Sequence, residues 1–163
     1  MENNRLLQAM IAFDRGDAKR IQHFIKVYQF AKLIGEEEGL DGRTQHILET
    51  ASIVHDIGIR PAEQKYGQCN GKLQEQEGPA EAERLLSELG YYKDVINRVC
   101  YVVGHHHTYT DVDGMDYRIL LEADFLVNLY EDNCGKDAIE NAYENIFRTE
   151  SGKRICEVMF EMK

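Results

Sequence analysis

Only two prolines, Pro61 and Pro79, interrupt this chain of 163 residues, and its apolar side chains recur at steps of three and four. That spacing marks one buried face of an α-helix, and proline is the residue that stops a helix most sharply. The expectation is an all-α fold, a helical bundle in one domain over residues 1–163, a length suited to a single hydrophobic core. No internal repeat, low-complexity tract or linker divides the sequence, and no segment of strand period competes with the helical ones.

The helices can be placed from their stop signals. Leu6, Leu7, Met10, Ile11 and Phe13 mark a short first helix that Gly16 ends. Asp17 is the expected N-cap of a long second helix running to about Glu38, with Phe24, Val27, Phe30, Ala31 and Ile34 as its buried stripe. Asp41-Gly42 turns the chain into a third helix, which carries Ile47, Leu48, Ala51, Val54 and His55 and breaks at Gly58 and Pro61. Residues 60–76 read as one long irregular stretch, a candidate lid or substrate loop, because such stretches in compact domains are usually functional or mobile. Gly78-Pro79 should open a fourth helix, with proline at its first position. Asp94 should cap a fifth that runs to His105-His106-His107. A sixth is expected at about 116–130, and one or two more between 136 and 162.

Charge narrows the partners. The 29 acidic residues outnumber the 19 Lys and Arg, for a formal charge of −10. Such a surface repels phosphate backbones and shows no basic stripe, so no nucleic-acid polymer is expected as a partner. A small anionic substrate stays compatible, since a bound cation inverts the field of a pocket. Cys69, Cys100, Cys134 and Cys156 form no CxxC pair, which argues against a zinc ribbon and fits a reducing compartment. The polar N-terminus and the lack of any run near ~18 apolar residues point to a soluble, cytoplasmic protein without a membrane partner.

Four polar residues fall where apolar ones are expected. Asp124 sits among Leu120, Ala123 and Val127 on the sixth helix, a face that Tyr130 or Glu131 extends. A buried carboxylate there costs several kcal/mol unless it is paired or holds a metal. His23 shares the second helix's apolar stripe; a lone inward imidazole is more often a hydrogen-bonded core residue than a ligand. His55 and Asp56 close the third helix. Neighbours in a helix project ~100° apart, so the two can meet one ion only at a mouth between helices. Imidazoles with carboxylates are the donors of a transition-metal site with open water positions. As separate accidents these four residues would need four separate partners.

In the order His23 … His55-Asp56 … Asp124 the chain resembles the HD-domain superfamily of metal-dependent phosphohydrolases. RIQHFIKVYQFAKLIGEEEGL is similar to that family's first helix, ILETASIVHDIGI to its central motif, and RILLEADFLVNLYED to the helix that supplies the last ligand. The resemblance covers residues 17–132, leaving the helices at 136–162 outside it. It implies a bundle with one divalent transition metal (Mn, Fe, Co, Ni or Zn) held by His23, His55, Asp56 and Asp124. It also implies hydrolysis of a small phosphorylated substrate, such as a nucleotide, with Asp56 orienting or deprotonating a metal-activated water.

Two features refine that expectation. Some relatives bind a second metal through further histidines, and the first of these would fall where this chain has Gln74, Glu75, Gln76 and Glu77. Glu75 or Glu77 could ligate there, or act as a general base through water, and Glu75 is preferred; both acids also simply suit a helix start. The triplet 105–107 lies where the family places pocket histidines; in projection His106 and His107 follow the Val99, Val102 and Val103 side with His105 more lateral, and His105 and His106 are the expected substrate contacts, although a helix C-terminus also favours such a cluster. Arg20 and Arg60 could reach a phosphate, but exposed surface charge is the preferred account of both. A di-iron oxygenase and a non-catalytic module holding metal and ligand are the competing readings.

Overall fold

The computed structural model describes residues 2–162. Among them are nine helices and no strand: α1 (Glu2–Phe13), α2 (Ala18–Glu37), α3 (Gly42–Val54), α4 (Ile59–Tyr66), α5 (Gly71–Glu88), α6 (Lys93–Val103), α7 (Met115–Glu131), α8 (Lys136–Asn145) and α9 (Glu150–Met159). The all-α expectation holds. None of these helices is long and apolar enough to cross a membrane.

At the centre, α2 packs against both α3 and α7, and α3 reaches α6 and α7. The stripe read from the sequence faces inward: Phe24, Val27, Ala31 and Ile34 meet Leu48, Ala51 and Val54 of α3 and Leu120, Ala123 and Val127 of α7 in one core. Helix starts are fixed by short polar side chains, which accept from the free N–H groups of a first turn. Asp17 accepts from the Arg20 N–H at 3.0 Å, as expected, and Asp41 accepts from the Thr44 N–H at 2.8 Å.

The stretch 60–76 departs from its reading as a loop. It holds α4 and the start of α5, joined by residues 67–70. Pro61 does not break α4 because it lies in the first turn, where a missing N–H leaves no intrahelical bond unmade. Few apolar residues announce this helix: only Ile59 and Ala62 are buried. It ends at Gly67, whose φ of 69° is a left-handed conformation that glycine adopts without strain.

Helix α5 likewise begins eight residues before Pro79, because Asn70 caps it by accepting from the Leu73 N–H at 2.9 Å. Pro79 therefore sits inside the helix. It forfeits one bond, and burial of Ala82, Leu85 and Leu86 carries the helix on. At α6 the N-cap is Tyr92 rather than Asp94; Asp94 lies in the first turn and pairs with Arg43.

Two contacts set the spacing around the 55–58 turn. Gly58 lies so close to α5 that a Cβ there would fall 2.7 Å from the Gln74 carbonyl oxygen and from the Gly78 nitrogen. A Cβ on Gly78 would meet Val103 of α6 at 2.7 Å. This pair of glycines brings α5 and the end of α6 up against the turn that carries His55 and Asp56.

Candidate metal centre

His55 and Asp56 stand immediately beyond the last residue of α3, where the final carbonyls of the helix have no intrahelical partner. His55 uses one of them: its Nδ1 donates to the Ser52 carbonyl at 2.7 Å. A carbonyl can only accept, so a proton is on Nδ1 and Nε2 is turned to the cluster. His23, on α2, is turned the same way by Glu131 at the end of α7, its Nδ1 lying 2.8 Å from Oε1. Lys26 pairs with the other Glu131 oxygen at 2.6 Å. An imidazole backed by a carboxylate or carbonyl is the usual support of a metal-ligating histidine.

Both Nε2 atoms then point at one spot. They are 3.3 Å apart. Asp56 Oδ2 lies 3.2 Å from that of His23 and 3.3 Å from that of His55, and Asp124 Oδ1 lies 3.2 and 3.4 Å from them. Donors bound at about 2.0–2.2 Å to a transition ion stand about 3.0–3.5 Å from their neighbours, so the spacing suits an ion. All four residues are buried; His55 is fully enclosed. Asn128, one turn on, donates to Asp124 Oδ1 at 3.1 Å.

Four lone-pair donors converging in a buried space require a positive charge. Burial pulls the His23 pKa down, but its bonds to Asp124 and Asp56 outweigh this and raise it to about 9. Burial also opposes the charge on His55, and the two aspartates raise it well above the usual imidazole range. In the opposite sense, burial pushes Asp56 and Asp124 up, while the charge on His55 and bonds from the imidazoles bring both below the carboxylate range. A divalent cation would supply the same charge in place of protons.

Beside this cluster lies a second one. Asp56, His106 and His107 present donor atoms close enough to share an ion, as do His23, His55 and Asp56. His106 repeats the His55 device at the end of α6: its Nδ1 donates to the Val103 carbonyl at 2.7 Å, and its Nε2 faces Asp56 Oδ1 at 3.4 Å. The Gln74 carboxamide bridges it to His107, its Oε1 lying 3.1 and 2.9 Å from the two Nε2 atoms. Burial first, then the charge of His106, lowers the His107 pKa to about 4, which keeps that imidazole neutral.

The expected substrate pair was His105 and His106; the structure pairs His106 with His107 instead. His105 is turned aside, its Nδ1 donating to the Tyr101 carbonyl at 2.7 Å and its ring stacked on Tyr101 at 4.0 Å. Glu75, the expected base, is engaged otherwise. Its Oε2 accepts from the His107 N–H and the Thr108 hydroxyl, both at 2.9 Å, tying the 105–108 segment to α5. Glu77 is paired with Lys65 at 2.7 Å. Sequence reasoning missed Glu131 and Gln74 as supports. Glu131 carried a signal, two turns beyond Asp124 on the same face; nothing in the sequence marked Gln74 as a bridge.

The family model for the HD domain matches residues 20–149. Among solved structures, the chain is similar to a predicted HD superfamily hydrolase from an uncultured Thermotogales bacterium. The TM-score is 0.69 at 24% identity, covering 97% of this chain and 84% of that one. It is also similar to YpgQ of Bacillus subtilis in its selenomethionine form, with a TM-score of 0.69, 16% identity and coverage of 99% and 90%. A further Bacillus subtilis YpgQ structure gives 0.64 at 17% identity, with coverage of 99% and 91%. At these identities the likeness concerns the fold. Among curated proteins none matches.

Proposed function

Because the chain belongs to the HD-domain family, we propose that it is a metal-dependent phosphohydrolase that removes phosphate from a small phosphorylated molecule such as a nucleotide. The observation that carries this reading is the convergence of His23, His55, Asp56 and Asp124 on one buried spot, with both imidazoles fixed by Glu131 and the Ser52 carbonyl. These residues would hold one divalent transition ion. Such an ion supplies Lewis acidity toward a phosphoryl oxygen and lowers the pKa of a bound water.

The chain's own residues do the rest. Asp56 turns one oxygen to the cluster and the other to His106. Asp56, set between the cluster and His106, can orient an attacking water or accept its proton. His107 and Gln74 hold His106 in place. Burial of the aspartates strengthens every charge interaction in the site and excludes competing water.

Metal content per chain, measured with phosphate release from a nucleotide and phosphomonoester panel, tests the proposal. About one transition metal in the wild type, lost together with phosphate release in Asp124→Ala, is the expected outcome. Metal-free wild-type protein, or turnover untouched by the substitution, would overturn it. One observation favours a second reading: the Asp56–His106–His107 triad could take another ion, as a di-iron oxygenase requires. Two irons per chain without phosphate release would establish that reading.

A further inference from the structure

Tyr109 stands at the outer end of a clamped segment that leads away from the candidate centre. On one side Glu75 of α5 accepts from the His107 N–H and the Thr108 hydroxyl. On the other, the Tyr117 hydroxyl of α7 meets the carbonyls of His105 and Thr108. Along this segment the chain passes from His106, 1% exposed, to Tyr109, 44% exposed. The Tyr109 ring stands edge-to-face with Phe125, centroids 5.3 Å apart and planes at 73°, and Phe125 directly follows Asp124 on α7. A perpendicular contact occupies one edge or one face of a ring, so at least one face of Tyr109 stays open. Burial, then the charges of Asp124 and Glu75, raises the Tyr109 pKa, which keeps its hydroxyl neutral beside the centre. Tyr101, also exposed near this end of α6, has its ring engaged: His105 stacks on it at 4.0 Å and the Arg98 guanidinium lies 5.1 Å from its centroid.

We infer that the Tyr109–Phe125 pair is a platform for the base of a nucleoside phosphate, which stacks on the open face of Tyr109 while its phosphate lies at the centre formed by His23, His55, Asp56 and Asp124. The inference rests on the phosphohydrolase reading above, and it narrows the substrate from small phosphorylated molecules at large to those that carry a planar base. Every base has a π-face to stack, whereas a bare sugar phosphate has none. The platform is held before any ligand arrives, by Glu75 and Tyr117 behind the segment and by Phe125 against the ring. Docking a base on it therefore costs little ordering. The Glu75 carboxylate near Tyr109 repels a phosphate but not an uncharged base. Charge thus sorts the two halves of the substrate, the base to the aromatic side and the phosphate to the metal.

The test is calorimetric binding, to metal-loaded protein, of the four common nucleoside 5′-monophosphates and of ribose 5-phosphate, which carries the same phosphoester without a base. Wild type, Tyr109→Ala and Tyr109→Phe are compared, with metal content measured on each sample. Tyr92, 80% exposed at the start of α6, is replaced by Ala as a control for loss of a surface aromatic. At least one nucleotide should bind wild type about 5- to 150-fold more tightly than ribose 5-phosphate, the range for stacking one base on an aromatic side chain. Tyr109→Ala should erase that margin and leave ribose 5-phosphate affinity and metal content unchanged; Tyr109→Phe and Tyr92→Ala should keep it. Equal affinity for nucleotide and ribose 5-phosphate in wild type, or a margin that survives Tyr109→Ala, would overturn the platform. So would a loss shared equally by ribose 5-phosphate, which would give Tyr109 a structural role. Phosphate release from any phosphoester would in each case leave the hydrolase reading standing. Metal-loaded wild type that binds none of these ligands and releases no phosphate would overturn both.

Discussion

The tautomers of His23 and His55 decide what the centre can bind. Each has its Nδ1 proton committed to an oxygen, so each Nε2 lone pair is free for a cation only once its own proton leaves. His23 in the metal-free protein is raised to about 9, so protons compete with metal below that value. Apparent metal affinity should therefore climb as pH rises from 6 and level off above about 9; a flat profile over that range would show that His23 is not a ligand. Glu131→Ala removes the acceptor behind His23, and losses of such supports lower metal affinity about 10–100-fold. Competition titration against a chelator measures this, with Glu131→Gln falling between variant and wild type. The four converging residues were legible because His23, His55 and Asp124 are polar groups on faces the helical period makes apolar, and Asp56 directly follows His55. Gln74 was not, because its place is settled by a contact between α5 and the end of α6 that no periodicity encodes.

The helices show where periodicity works as a guide. The stripe of α2 was readable because it is long and backed by the core on one side. Helix α4 was not, since it buries only two side chains and carries a proline that reads as a breaker unless its place in the first turn is known. The same limit applies to α5, whose start depends on the Asn70 side chain rather than on apolar spacing. The contact between Gly58 and α5 turns on the absence of a side chain. Gly58→Ala should cost about 1–3 kcal/mol by overpacking, read as a shift in the denaturant midpoint. Because Asp56 and Gln74 flank that contact, metal affinity should fall with it; unchanged affinity alongside lost stability would show that the centre does not depend on this spacing.

For the molecule as a whole, one buried acid sets part of the pH response. Asp14, 5% exposed, follows α1, and its Oδ2 has no hydrogen-bond partner. Burial, only partly offset by Arg60 and Arg20, raises its pKa from 3.8 to about 6. A pKa raised on folding favours the native state below the unfolded value, and this contribution is lost as pH rises through about 6. Asp14→Asn should then be about 1–3 kcal/mol more stable than wild type at pH 7.5, taking ~1.4 kcal/mol per pKa unit, with the gain fading toward pH 4. Thermal melts across that range would read it, and a gain constant with pH would assign the effect to something other than ionisation.

His23 and Glu131 are 108 residues apart in sequence, and Asp124, the last of the four converging donors, belongs to the same late helix as Glu131. During synthesis, which proceeds at about 5–20 residues per second, α2, α3 and the His55-Asp56 turn emerge while α7 is still unmade. A chain at that stage exposes two histidines and an aspartate with no tautomer fixed at His23 and no fourth donor. Such a partial set grips a metal weakly and without geometric selectivity. On the proposed reading, competence to retain an ion arrives late, when α7 docks against α2 and α3, and the order in which the segments are made delays loading.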